Sequence, residues 1–374
     1  MKFTVSSTSL GAKLVALGKV INNKNALPIL GDIVFDVTSG GQVGLTASDS
    51  EIWMQTGMEL TDSEGDVRFA IGAHDIIEAV RGLAEQPLTF DVDMEKNTVK
   101  ISYLNGHYSL PIESADQFPK PAQIQGDVHK TLDKGIFSDC TARALFGCAE
   151  NELRPVMNGE YVDFLADRLC IVASDGHKLI RNTINSVKSE AIGAFIMPKK
   201  VVALIKGTVS KAAGEVQLHF DDRNAQISYD TVTLTFRLID GRYPNYNSVI
   251  PQNNPSEARV DRACLLAALK RVQNFANSSS YLVRFQFEGD KIVLEAEDYD
   301  FSKTATETVQ CEYAGTKMAI GFKSSTFVDI LSNMSCKEVI IRLSDPSRAA
   351  LIVPAEEDEA VEVLMLIMPM LLND

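Results

Sequence analysis

The sequence contains no Cys-x-x-Cys pair, and its six cysteines (Cys140, Cys148, Cys170, Cys264, Cys311 and Cys336) have no metal-type spacing with its five histidines. That pattern excludes zinc modules and reads as isolated thiols in a reducing compartment, so a cytoplasmic protein is expected. Long apolar runs are missing too. The opening MKFTVSSTSLGAKL lacks the uninterrupted apolar core of an export signal. The closing LMLIMPMLLND, residues 364–374, is far short of the ~20 residues a spanning helix needs. There is no Gly-x-Ser-x-Gly elbow. Ser174, Asp175 and His177 are the residue types of a hydrolytic triad, but near-adjacent positions on one turn cannot place the base between nucleophile and acid. TSGGQVG reads as a hairpin turn, not a phosphate loop, and His74, His107, His129 and His219 as surface or core residues. No catalysis, metal or cofactor is expected. Helix-turn-helix signals and aromatic-rich strands for stacking bases are also absent, which excludes base-edge readout. A net charge of −14 argues against a nucleic-acid partner if the charge is evenly spread.

It is not evenly spread, and the chain is repetitive. A length of 374 residues suggests two or three domains. Three segments, 27–54, 156–181 and 281–301, carry two alternating strands joined by GG, AD or GD turns. Each is followed by a strand running into a helix, with Ile71, Ile196 and Ile320 in matching places about 125 residues apart, and then by a closing hairpin. The Pro-, Gly- and Asn-rich stretches 115–128 and 240–260 read as linkers. The expected domains are therefore 1–120, 125–250 and 253–374. Each opens on an amphipathic helix: Leu10, Leu14, Leu17 and Ile21 share a face in the first, as do Leu265, Leu266, Leu269 and Val272 in the third.

Positive charge collects in those helical segments. Residues 6–25 carry Lys13, Lys19 and Lys24 without an acid; 199–214 carry Lys199, Lys200, Lys206 and Lys211, again without one; 262–275 add Arg262, Lys270 and Arg271. In the second of these, Val201, Val202, Leu204, Ile205 and Val209 form the apolar arc and the lysines lie off it. Acids crowd into strands and turns. One such helix would be read as a solvated face; recurrence in all three repeats reads as a basic surface for a polyanion, contacting phosphate without regard to base sequence.

Over its full length the chain resembles the family of bacterial sliding clamps, the beta subunits of DNA polymerase III. The motifs are MKFTV at the start, LPIL at 27–30, ASDGHKL at 173–179, DGRYPNY at 240–246 and MPM at 368–370. The resemblance implies an α+β DNA-clamp fold: three repeated domains, each with two helices packed on antiparallel sheet, and two chains joined head to tail into a ring of pseudo-sixfold symmetry. It implies a non-catalytic processivity factor that encircles duplex DNA and tethers the replicative polymerase. Lys24, Lys199 and Lys200 would line the DNA channel, and Tyr281 would lie in a loop near DNA. Pro155 and Val156 stand where some relatives carry tyrosines, so no DNA contact is carried over there.

The resemblance further implies an apolar groove between the second and third domains. It receives short peptides, often with a Leu-Phe pair, from the polymerase alpha subunit, the clamp loader and other partners. Carried over, it comprises Met157, Ser174, Gly176, His177, Lys178, Leu179, Pro244, Ser248, Val249, Leu366, Met368, Pro369, Met370, Leu371 and Leu372. Flexible, polarisable methionines suit a site that repacks around several ligands, and Pro369 would free nearby backbone groups. Leu371 and Ser248 replace basic residues of some relatives, implying a more apolar groove. Asn373 and Asp374 extend past the usual end. At the subunit junction Tyr108 and Leu110 should meet Asn274 and Phe275 of the other chain, with Asn274 at a commonly apolar position. The competing reading is a repeat-built peptide scaffold that does not encircle DNA.

Overall fold

The computed structural model describes residues 1–374 except 23, 25, 26, 127, 151, 152, 189–191, 211, 357, 373 and 374. Lys211, Asn373 and Asp374, singled out above, lie outside the described residues. Among those described there are six α-helices: α1 Ser7–Gly18, α2 Ala73–Val80, α3 Lys134–Ala144, α4 Lys199–Thr208, α5 Arg262–Val272 and α6 Ser324–Ser332. Side-chain caps fix three of the starts, that of α3 through Asp133 Oδ1, which accepts from Ile136 N–H at 2.8 Å. Ser6 accepts from Ser9 N–H at 3.2 Å and Asp261 from Cys264 N–H at 2.8 Å, each worth about 1 kcal/mol. α1 buries Leu10, Leu14 and Leu17 as expected, but it ends at Gly18 and so leaves Ile21 outside the helix. A Cβ on Gly18 would come within 2.8 Å of the Ile77 Cδ1 on α2, so a larger residue there would have to displace that side-chain end.

Each repeat is laid out in one order. The first has an opening strand, Lys2–Ser6, a meander of Asp32–Thr38, Gln42–Ser48 and Ile52–Glu59, the strand Val67–Gly72 before its second helix, and a closing meander of Pro87–Asp93, Thr98–Tyr103 and Gly106–Ser114. The second runs Val128–Asp133; Gly159–Phe164, Leu169–Ser174, Lys178–Ile184; Gly193–Pro198; Glu215–Phe220, Asn224–Tyr229, Val232–Arg237. The third runs Ser256–Asp261; Leu282–Glu288, Lys291–Asp298, Lys303–Tyr313; Met318–Lys323; Glu338–Leu343, Ala350–Pro354, Val361–Ile367. Ile71, Ile196 and Ile320 are buried on their strands.

The chain divides into two compact units, 1–138 with 200–238, and 139–199 with 239–374. Each contains one antiparallel sheet, of thirteen strands in the first and twelve in the second. In the first unit the closing strand of the second repeat pairs with the meander of the first, Phe236 opposite Ile52 and Leu234 opposite Met54. In the second unit the closing strand of the third repeat pairs likewise with the meander of the second, Ile367 opposite Lys178 and Met365 opposite Ile180. Besides the strands that end each sheet, two edges of this junction type are left over. Gly106–Ser114 pairs with Val67–Gly72 only over 112–114, so on that side 106–111 has no partner among the described residues. Lys303–Tyr313 meets the opening strand only over 311–313, which leaves 303–310 similarly open.

One carboxylate in the first unit is set for a pH response. Half-buried Asp32 has its pKa raised from 3.8 to about 7, by burial first, then by its hydrogen bond to Glu113 and the charges of Glu113 and Asp75. A raised carboxyl favours the folded state below its ordinary pKa, and that contribution is lost as pH rises through about 7. Asp32→Asn is therefore expected to be more stable than the parent at pH 8, with the gap closing toward pH 4, in urea unfolding at both pH values. A gap independent of pH would contradict this.

Candidate functional site

The ASDGHKL segment forms a tight turn in which the Ser174, Asp175 and Lys178 side chains bond within the turn itself. Ser174 Oγ donates to the Lys178 carbonyl at 2.8 Å and accepts from Gly176 N–H at 3.2 Å. Asp175 Oδ1 accepts from the N–H groups of His177 and Lys178 at 2.8 and 2.9 Å, and its other oxygen pairs with Lys178 Nζ. Burial works against ionisation of Asp175, but these three donors outweigh it and hold the pKa below the usual carboxylate range. Gly176 sits at φ +90°, and a Cβ there would lie 3.0 Å from the Arg154 guanidinium. The serine hydroxyl is spent on the backbone and is not activated by an imidazole.

Beside the turn, Ser174, Leu179 and Leu366 form one rung across three strands of the second unit's sheet. The 240–251 linker crosses this face. Tyr243 stacks on Tyr161 with ring centres 4.8 Å apart, and Tyr246 Oη donates to Asp163 at 2.9 Å. Between linker, turn and closing strand lies a cavity of about 640 Å³. Met157, Leu179 and Leu366 are its buried floor, while Val249 (57% exposed) and Met368 (42% exposed) stand at the rim. Ser174, Gly176, Lys178 and Pro244 complete the expected residues that line it.

His177, Ser248, Pro369, Met370, Leu371 and Leu372 are not part of the lining. Ser248 Oγ donates to the Asn245 carbonyl within its own turn, at 2.7 Å. The tail divides at Pro369: Met368 N–H donates to the His177 carbonyl, and Met370 N–H to the Gly321 carbonyl, each at 2.8 Å. Met370 and Leu372 thus pack back on the strand Met318–Lys323, where a Cβ on Gly321 would meet both, and Leu371 is 87% exposed. Lining residues that the sequence reading missed include Tyr243 and Tyr246, which lie inside the quoted RYPNY motif, and Arg154. Ser347, Arg348 and Ala349 also line the cavity, from a hairpin turn with no distinguishing pattern. The first repeat has Trp53, the chain's single tryptophan, where the second has Leu179. It packs with Leu30 and Phe118 and donates to the Pro119 carbonyl at 3.1 Å, filling the equivalent space.

The basic helices are less free than their sequence suggests, because acids arrive from elsewhere in the chain. Lys199 pairs with Glu150 at 2.9 Å, and Lys200 with Asp49 and the Val20 carbonyl, both at 2.5 Å. Arg271 forks onto Glu307, and Arg262 donates to the carbonyls of Cys336 and Leu331. Lys13 is held by the hydroxyls of Thr56 and Thr231, and burial lowers its pKa. Lys19, Lys24, Lys206 and Lys270 are exposed. Tyr281 is partly exposed at φ +52°. Tyr108, stacked on Tyr103 at 5.0 Å, and Leu110 lie half-buried on the open 106–111 edge. Asn274 caps carbonyls of α5, and Phe275 beside it is exposed.

Comparison with known proteins gives the same outline. Family models of the DNA polymerase III beta subunit match in series: the N-terminal domain over residues 1–122, the central domain over 131–245 and the C-terminal domain over 247–370. The beta sliding clamps of Pseudomonas aeruginosa and Escherichia coli K12 are each 25% identical, over 98% of this chain and 99% of theirs. Among solved structures, a sliding clamp from Bartonella birtlesii bound to griselimycin matches at 25% identity with a TM-score of 0.93, covering 100% of both chains. The DNA polymerase III beta subunit of Thermotoga maritima matches at 22% identity and a TM-score of 0.90, again over 100% of both. The chain belongs to the DNA polymerase III beta subunit family, the bacterial beta sliding clamps.

Proposed function

We propose that two copies of this chain close head to tail into a ring that encircles duplex DNA and holds the replicative polymerase to it without catalysing any step. The observation that carries this reading is the arithmetic of strand edges. Two junctions of one kind, a closing strand paired with the preceding repeat's meander, are made within the chain. A third of the same kind is left half-made at both ends, at 106–111 and 303–310. Open edges invite pairing, and joining each to the other's counterpart on a second copy gives a closed head-to-tail ring. Rungs of the closing meander, Val99 with Leu110, Ala225 with Phe236 and Ala350 with Ile367, mark Leu110 as the equivalent of buried Phe236 and Ile367. Tyr108 and Leu110 would be buried by the pairing, with Asn274 and Phe275 flanking it.

The domains are taken as 1–120, 125–250 and 253–374 and the location as cytoplasmic. Lys24, Lys199, Lys200 and Tyr281 are assigned to the DNA side. The lysine ion pairs do not forbid this. Glu150 is 87% exposed in its pair with Lys199, and such a surface pair is worth only about 0–1 kcal/mol, so phosphate can take the acid's place. The groove recruits linear peptides of the polymerase alpha subunit, the clamp loader and other partners. Loose phosphate contact plus topological closure permits sliding, which tight base readout would prevent.

The junction register supplies the test. By equivalence with Phe236 opposite Ile52 and Ile367 opposite Lys178, each the first residue of its strand, Leu110 should face Lys303 of the partner. Antiparallel partners lie about 4.5–5.5 Å apart at Cα, within disulfide range. A Leu110→Cys, Lys303→Cys chain, with Cys264→Ser to remove the exposed native thiol, is expected to give covalent dimers on mild oxidation. Loaded on circular DNA, they should stay bound through detergent. Only monomers after oxidation would overturn the proposed junction.

A further inference from the structure

In both junctions made within the chain, the meander turn also grips the neighbouring repeat just beyond the paired strands. The Glu51 carbonyl accepts from Arg237 N–H at 2.9 Å, and the His177 carbonyl from Met368 N–H at 2.8 Å. Arg237 follows Phe236 and Met368 follows Ile367, the residues that end each pairing. The residue following Leu110 is Pro111. Proline has no amide hydrogen, so this closing bond cannot form at the third junction.

The turn on the opposite side of that junction departs from its two equivalents in a matching way. The others, 49–51 and 175–177, are short polar turns closed by the Asp49 and Asp175 side chains. The third, Tyr299–Ser302, is one residue longer and presents two aromatic rings to solvent: Tyr299 is 80% exposed and Phe301 68%. Lys303 Nζ lies 5.2 Å from the centre of the Phe301 ring, and Asp298 Oδ1 accepts from Asp300 N–H at 3.1 Å, so a cation over one ring and a bond at the turn's base hold the tip. Two junctions are tied by the covalent chain and need little affinity of their own. The third is held by association alone, where aromatic side chains contribute most.

We propose that the Tyr299–Ser302 tip is an apolar anchor that seats Tyr299 and Phe301 against the partner's Pro111, in place of the backbone bond proline cannot make. The inference rests on the ring reading and adds to it an element with no counterpart in the two junctions made within the chain. Proline's ring and fixed φ offer the aromatic pair a flat, rigid seat. The occupant is a second copy of this chain, because the tip adjoins the open 303–310 edge and its two equivalents both grip the neighbouring repeat.

Sedimentation of the full chain from nanomolar to micromolar concentration tests this with three proteins: the parent, a Tyr299→Ser, Phe301→Ser double variant, and Leu110→Asp on the paired edge. Both serine sites are exposed, so the fold should be unchanged, with groove-peptide affinity as the check. The expected result is a dimer dissociation constant raised on the order of 30-fold in the double variant, with Leu110→Asp monomeric throughout. A double variant that dimerises like the parent while Leu110→Asp falls apart would overturn the anchor and leave the ring standing. A parent that is monomeric throughout, or a Leu110→Asp variant as dimeric as the parent, would overturn the ring and the anchor with it.

Discussion

Met368→Asp is expected to weaken binding of a labelled Leu-Phe-type peptide by at least about 100-fold while leaving dimerisation untouched. Met368 is at the cavity rim with its backbone fastened to His177, so the side chain can change without loosening the strand. Covering a methionine with ligand is worth about 1.5–3 kcal/mol, and burying an unbonded polar group costs about 1–3 kcal/mol. A loss of about 3 kcal/mol or more corresponds to over two decades of affinity. Deleting 368–374 should also abolish binding, but it removes the Met370 bond to Gly321 as well, so the point variant is cleaner. Fluorescence polarisation measures the affinity and sedimentation the dimer. An affinity within threefold of the parent would remove Met368 from the groove.

Glu160→Met should stabilise the protein. Glu160 is fully buried on the strand Gly159–Phe164, and neither carboxyl oxygen has a hydrogen-bond partner. Burial raises its pKa well above the ordinary 4.5, disfavouring the charged form. Burial also pushes up the nearby thiols of Cys140, to about 12, and Cys148. An unbonded polar group in such a place costs about 1–3 kcal/mol, and methionine of similar volume removes that cost. The expected rise is about 2–4 °C in melting midpoint for each kcal/mol.

The pH dependence separates this from simple repacking. A carboxyl with a raised folded-state pKa contributes stability that is complete below 4.5 and lost as pH rises through its folded value. The advantage of Glu160→Met should therefore widen from pH 5 to pH 9. Glu160→Gln should share the pH-independence of methionine but not its gain at pH 5. A midpoint that falls in Glu160→Met, or a gap that does not widen, would contradict the account.

The repeat was legible because alternation and turn chemistry are local. The hairpins around Gly40, Asp167 and Gly289 fall where period-2 patterning puts them; Ile71, Ile196 and Ile320 are all buried but out of matching register, standing two, three and four residues before their helices. The cavity floor at Leu179 and Leu366 was legible through motif resemblance, whereas Tyr243 and Tyr246 were quoted without being assigned. What escaped the sequence depends on tertiary partners. Asp49 and Glu150, which neutralise Lys200 and Lys199, lie 151 and 49 residues away in the chain, and no local pattern announces them. The tail carried two roles in one apolar run. Leu366 and Met368 face the groove, while Met370 repeats the strand contact that Glu113 makes with Ala70 in the first repeat, a distinction set by register alone. Glu160 looked like the polar half of an alternating strand, and only the fold places it in the interior.

The claim on which the rest depends is topological, and run-off from DNA tests it most directly. The parent protein is loaded onto nicked circular DNA by a clamp loader, and the complex is isolated by gel filtration and then linearised with a single cut. Retention on the intact circle with loss from the linear form is the predicted result, and blocking both ends with bulky adducts should restore retention. Equal retention on circular and linear DNA would mean ordinary surface binding and would contradict the ring.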